Sequence, residues 1–149
     1  MDAKSPKPAE AVASLEPFVG VWDTTGTILD AEGQRDGELE AIDSYEWFPG
    51  GFFLLHHVGG KMGNAEVKAL EVIGAGPREG VCTARSYDNA GQSDEFEVAL
   101  RGRNWTIDGK TQRFRGQLSA DLRTLEGQWE LTEDGSNWRP WMRIRLSKR

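Results

Sequence analysis

The chain has 149 residues, a formal net charge of −6 and a single cysteine. A domain of that length buries roughly 70% of the surface its unfolded chain exposes, so one sizeable core is expected. Acidic and basic residues are interleaved, which argues against a nucleic-acid partner, because phosphate binding draws on a basic face. Cys82 alone excludes an internal disulfide framework and a multi-cysteine metal site, and it reads as a small buried hydrophobe.

Residues 1–7 are polar and proline-containing, a disordered tail. No apolar block follows their lysines, so the region lacks the middle of a secretory signal, and the expected location is cytoplasmic. Pro8 to Leu15 suits one or two helical turns, with proline early and alanine and glutamate after it. Beyond Phe18 almost nothing holds a helical period, whereas Gly, Pro, Asn and Asp recur about every 8–12 residues, the punctuation of an all-β meander.

The strands expected are Phe18 to Leu29, Glu38 to Phe48, Phe52 to Val58, Glu66 to Ile73 and Val81 to Asp88. Asp94 to Arg101, Asn104 to Asp108, Thr111 to Ser119, Thr124 to Thr132 and Trp138 to Leu146 complete the set. Pro49-Gly50-Gly51, Gly59-Gly60, Gly76-Pro77, Asn89-Ala90-Gly91, Asp108-Gly109 and Asp134-Gly135 supply the turns. The longest apolar run, Phe52 to Leu55, is far short of the roughly 18 residues of a membrane-spanning helix, so no membrane insertion is expected.

Phe96, Val98 and Leu100 alternate with Glu95, Glu97 and Arg101, and Leu125, Trp129 and Leu131 with Glu126, Gln128 and Glu130. Such strands have one wet and one buried face. With no helix to cover them, closing the sheet on itself buries one face and removes the edges. The fold expected is therefore an all-β, closed, antiparallel up-and-down barrel of about ten strands with a short N-terminal helix. Residues 1–14 form the tail and helical lead-in, and residues 15–149 the barrel domain. A ten-strand barrel is wider than side chains readily fill, so a cavity is expected. The C-terminal run Arg139, Arg143, Arg145, Lys148 and Arg149 fits the outer face of the last strand.

The segment Leu15-Glu16-Pro17-Phe18-Val19-Gly20-Val21-Trp22 resembles the opening of the calycin superfamily, in which a short helix leads into a Gly-x-Trp on the first strand. That resemblance implies an arginine from the last strand, Arg143 or Arg145, stacked on Trp22 at the closed end. Ser44 to His57, Leu70 to Gly74, Arg85 to Asn89 and Trp138 to Met142 are similar to a bacterial family of lipocalin-like domains of unknown function. The likeness is more distant to fatty-acid-binding-type barrels and to nitrobindins. Nitrobindins hold haem through a histidine near the C-terminal end, and no histidine follows His57 here, so no cofactor is assigned.

Polar side chains facing inward are the informative ones in a barrel. Alternation places Asp43, Tyr45 and Trp47 inward on the second strand, Glu71 on the fourth, and Arg85 and Tyr87 on the fifth. The third strand is apolar on both faces, so either His56 or His57 points in; consecutive on a strand, they cannot both grip one ion, and no metal site is assigned. Glu71 and Arg85 would form an ion pair, or Arg85 and Tyr87 would present donors to the polar end of a ligand. His56, Trp105, Phe114 and Trp129 complete the ligand-binding set with Asp43, Tyr45, Trp47 and Glu71.

The function expected is binding of a small, largely apolar molecule in the lumen, as carrier or sensor. The alternative is an enzyme of the isomerase, cyclase or hydrolase type, with the inward histidine or Glu71 as general base and its catalytic residues otherwise unknown. A third reading is an interaction module, a homodimer through the outer face of the third strand.

Overall fold

Short turns divide the chain into strands too closely spaced to admit any cover but one another. The computed structural model describes residues 5–149. Helix α1 (Glu10–Ala13) and a 3-10 turn (Glu16–Phe18) precede ten strands: β1 (Gly20–Leu29), β2 (Arg35–Trp47), β3 (Leu54–Met62), β4 (Ala65–Ala75) and β5 (Cys82–Asp88), then β6 (Ser93–Arg101), β7 (Asn104–Asp108), β8 (Gln112–Leu118), β9 (Thr124–Thr132) and β10 (Trp138–Lys148). Each strand pairs antiparallel with the next, and β1 pairs with β10, so the up-and-down barrel is closed. No strand edge is left open to pair with another chain. Of the expected N-terminal tail, residues 1–4 lie outside the described residues, and 5–7 are exposed without regular secondary structure. Among the described residues, no helix is long and apolar enough to cross a membrane.

One end of the barrel is plugged. Val12 and Leu15 from the lead-in meet Phe18, Trp22, Leu54, Ile73, Cys82, Val98 and Leu118 in one buried cluster. Each of the larger side chains stabilises the fold by about 1.5–3 kcal/mol through burial. The Trp22 indole N–H donates to the Phe18 carbonyl at 2.8 Å, tying the first strand to the 3-10 turn. Cys82 belongs to this cluster, and burial pushes its thiol up to about 11, as suits an inert hydrophobe.

The cation over Trp22 is Lys148, not Arg143 or Arg145. Its Nζ stands 5.4 Å from the Trp22 ring centroid and donates to the Pro17 carbonyl at 2.9 Å. Positions 143 and 145 are exposed, and Arg145 pairs with Glu126 on the outer face. The parity of β10 decides this: Met142, Ile144, Leu146 and Lys148 alternate inward, so Arg143 and Arg145 point to solvent. Arg139, expected on the same outer face, lies before the bulge of β10 and is half-buried, with its Nη1 enclosed.

A second difference lies at Gly59-Gly60, which is not a turn but part of β3. Gly60 opposes Ala41, and a side chain there would collide with the Glu40 carbonyl and the Ala41 Cα. The glycine serves close strand approach. The chain reverses instead at Gly63, whose φ of 61° is the left-handed conformation a tight turn requires.

Candidate functional site: a carboxylate-flanked histidine in the barrel lumen

Above the plug, toward the β3–β4 and β5–β6 turns, the barrel holds a cavity of about 510 Å³. Its polar wall is a single cross-strand row. Tyr45 of β2 lies opposite His56 of β3, His56 opposite Glu71 of β4, Glu71 opposite Ser86 of β5, and Ser86 opposite Asp94 of β6. Directly opposed residues keep their Cβ atoms about 4.5–5.5 Å apart, so the register alone brings these side chains together. Asp43 sits two residues from Tyr45, on the same face.

His56 faces the lumen and His57 is exposed. The imidazole bridges two carboxylates, Nε2 to Asp43 Oδ2 at 2.7 Å and Nδ1 to Glu71 Oε1 at 3.0 Å. The Thr24 hydroxyl donates to the other Asp43 oxygen at 2.6 Å. Burial alone would lower the His56 pKa, but the hydrogen bonds and charges of Asp43 and Glu71 outweigh it and raise it to about 9. With that proton retained, both ring nitrogens donate, one to each carboxylate. Among the described residues no group of His, Cys, Asp or Glu has the arrangement of a metal site.

Tyr45 stacks on His56 with ring centroids 4.0 Å apart. Its hydroxyl is held protonated, pushed well above the usual phenol range by burial and by the charges of Asp43 and Glu71. The opposite wall is aromatic. Phe96, Trp105, Phe114 and Trp129 line it, with Phe114 and Trp129 ring centroids 5.4 Å apart.

Seven of the residues expected from sequence border this cavity: Asp43, Tyr45, His56, Glu71, Trp105, Phe114 and Trp129. Three do not. Trp47 has the right parity but lies at the plugged end, where its indole N–H donates to Glu16 at 3.1 Å. Arg85 and Tyr87 point outward: Arg85 pairs with Glu95 at 3.1 Å, and Tyr87 is 49% exposed. The Glu71–Arg85 ion pair is accordingly absent, and Glu71 has His56 as its partner.

The parity error on β5 has a simple origin. Val81 is buried but precedes the strand, which begins at Cys82, so the inward set is Cys82, Ala84 and Ser86. The charge on Arg85, opposite Glu95 in the register, was the available signal. Trp141 escaped for a different reason. A bulge between Pro140 and Met142 breaks the alternation of β10, so both Trp141 and Met142 reach the lumen, with Trp141 edge-on to Trp129 at 6.4 Å.

No protein-family model matches the chain, and no curated protein matches it in sequence. The fold does have a solved neighbour. It is similar to the crystal structure of Rv2717c from M. tuberculosis, with a TM-score of 0.72 and 13% identity over 96% of this chain and 99% of that one. At this identity the likeness is one of fold alone.

Proposed function

We propose that this barrel binds a small molecule with a largely apolar body and one polar end, as a carrier or sensor. The observation that carries the reading is a cavity of about 510 Å³ with aromatic rings on one side and the Tyr45–His56–Glu71 row on the other. Small-molecule sites have this character: mostly apolar walls with a few placed polar groups that fix orientation. Cytoplasmic location belongs to the same proposal, since a carrier of this kind would work where its ligand is made or consumed.

Titration with N-phenyl-1-naphthylamine, a neutral dye that brightens in apolar surroundings, tests the reading. Saturable binding that weakens when Trp129→Ala opens the aromatic wall supports it. Absence of binding by the folded wild type contradicts it.

A second reading, an isomerase, cyclase or hydrolase acting on such a molecule, rests on one feature of Glu71. Its Oε1 is engaged by His56, while Oε2 has no hydrogen-bond partner among the described residues, and the residue borders the cavity. A carboxylate oxygen so placed is a general base within reach of a substrate proton. Turnover of any compound from a broad substrate panel, lost in Glu71→Gln, would favour this reading over binding alone.

A further inference from the structure

The charged groups that line the cavity are all of one sign but for His56. Asp43, Glu66, Glu71, Asp88 and Asp94 line it, and neither lysine nor arginine does. Arg139, beside Pro140 on β10, is half-buried but not among the lining residues. Glu66, Asp88 and Asp94 sit toward the turn end, where β3 meets β4 and β5 meets β6, while Asp43 and Glu71 lie deeper. One histidine, even protonated, neutralises only one of the two deep carboxylates. The deep cluster of Asp43, His56 and Glu71 thus carries a net charge of −1, and the mouth adds more negative charge.

Two further features face the same space. Tyr45, only 6% exposed, presents a hydroxyl that has no hydrogen-bond partner among the described residues, on a side chain bordering the cavity. Trp105, Trp129 and Trp141 line the same lumen, and indole is the ring type with the strongest attraction for organic cations.

On the reading that the lumen binds a small molecule, we infer that its occupant is an organic cation: an amine with an aromatic or aliphatic body, its N–H donors directed to Glu71 Oε2 and the Tyr45 hydroxyl. An anionic ligand meets the opposite situation. A carboxylate brought into this lumen finds no free cation among the residues that line it, because both N–H groups of His56 are already donated to Asp43 and Glu71, and it would be buried beside like charge. The acidic mouth would repel it on approach and attract an amine. Fatty acids and aromatic acids are therefore excluded as ligands in favour of amines of similar shape.

The test compares tryptamine, tryptophol and indole-3-propionate, which share a ring and differ at the end of the side chain as ammonium, hydroxyl and carboxylate. Calorimetric titration of the full chain at pH 7 and low salt should rank tryptamine tightest, by about tenfold or more over each of the others. Glu71→Gln should erase most of that advantage, with far-ultraviolet circular dichroism showing that the barrel is still folded. If Glu71→Gln does not fold, the wild-type ranking decides alone. Equal affinities, tightest binding of the propionate, or dye binding with none of the indoles bound would each overturn the cation inference and leave the binding proposal standing. Failure of the dye as well as the indoles would overturn both.

Discussion

Tyr45 and His56 lie face to face, ring centroids 4.0 Å apart and planes within 8° of parallel. The contact fixes the plane of the imidazole, and the plane fixes which atoms its two nitrogens can reach. With the ring pinned against Tyr45, Nε2 meets Asp43 and Nδ1 meets Glu71. Tyr45 is itself held from behind by Phe18, at 5.3 Å between ring centroids, so the buried plug supports the polar row above it.

The raised pKa of His56 makes stability depend on pH. The folded state keeps its proton up to about 9, whereas the unfolded chain releases it near 6.5. The contribution of His56 is thus fully present below pH 6.5 and is lost as pH rises from there to about 9, by up to roughly 3 kcal/mol. Urea midpoints measured across that window should fall for the wild type and stay nearly level for His56→Gln. A wild-type midpoint independent of pH between 6.5 and 9 would contradict the bridged geometry.

Removing the bridge should be costly. His56→Ala leaves Asp43 and Glu71 without their shared cation in a poorly hydrated wall, and loss of one partner from a buried ion pair costs about 3–5 kcal/mol. His57→Ala, one residue along on the exposed face, should change stability by less than about 0.5 kcal/mol. Chemical denaturation of the two variants side by side separates them, and equal losses would contradict the assignment of faces.

Lys148 should matter to the plug where the arginines of the same strand do not. Lys148→Ala removes the cation above Trp22 and the hydrogen bond to Pro17, together worth about 1–2 kcal/mol. Arg143→Ala and Arg145→Ala, both exposed, should leave the thermal midpoint nearly unchanged. The reverse order would restore an arginine as the lid on Trp22.

The barrel was legible in the sequence because it follows from local chemistry: turn residues at short intervals, and strands such as β6 and β9 whose apolar positions alternate cleanly. The site was legible only in part, because it depends on parity and register. On β2 the even-numbered glutamates flag the wet face and so place Asp43 and Tyr45 inward. On β3 both faces are apolar, and nothing in the strand itself distinguishes His56 from His57; only its register against Tyr45 and Glu71 does so. On β5 a buried residue just outside the strand, Val81, shifts the apparent parity by one and exchanges Ser86 for Arg85 and Tyr87. The bulge that turns Trp141 inward has no sequence mark beyond Pro140.

That parity is open to a binding measurement. Arg85→Ala and Tyr87→Ala should leave the dissociation constant of N-phenyl-1-naphthylamine within about twofold of wild type, because both side chains lie outside the barrel. Ser86→Trp, which puts a large ring into the row beside Glu71, should block the dye. Strong loss on Arg85→Ala with none on Ser86→Trp would return β5 to the opposite face.

The chain's six tryptophans provide the most direct test of a ligand-binding lumen. Trp105, Trp129 and Trp141 line the cavity, whereas Trp22, Trp47 and Trp138 do not. In a nitrogen–proton correlation spectrum, titration with N-phenyl-1-naphthylamine should shift the indole N–H signals of Trp105, Trp129 and Trp141 and leave those of Trp22, Trp47 and Trp138 in place. Shifts confined to Trp22, Trp47 and Trp138, or no shift at saturating dye, would contradict it.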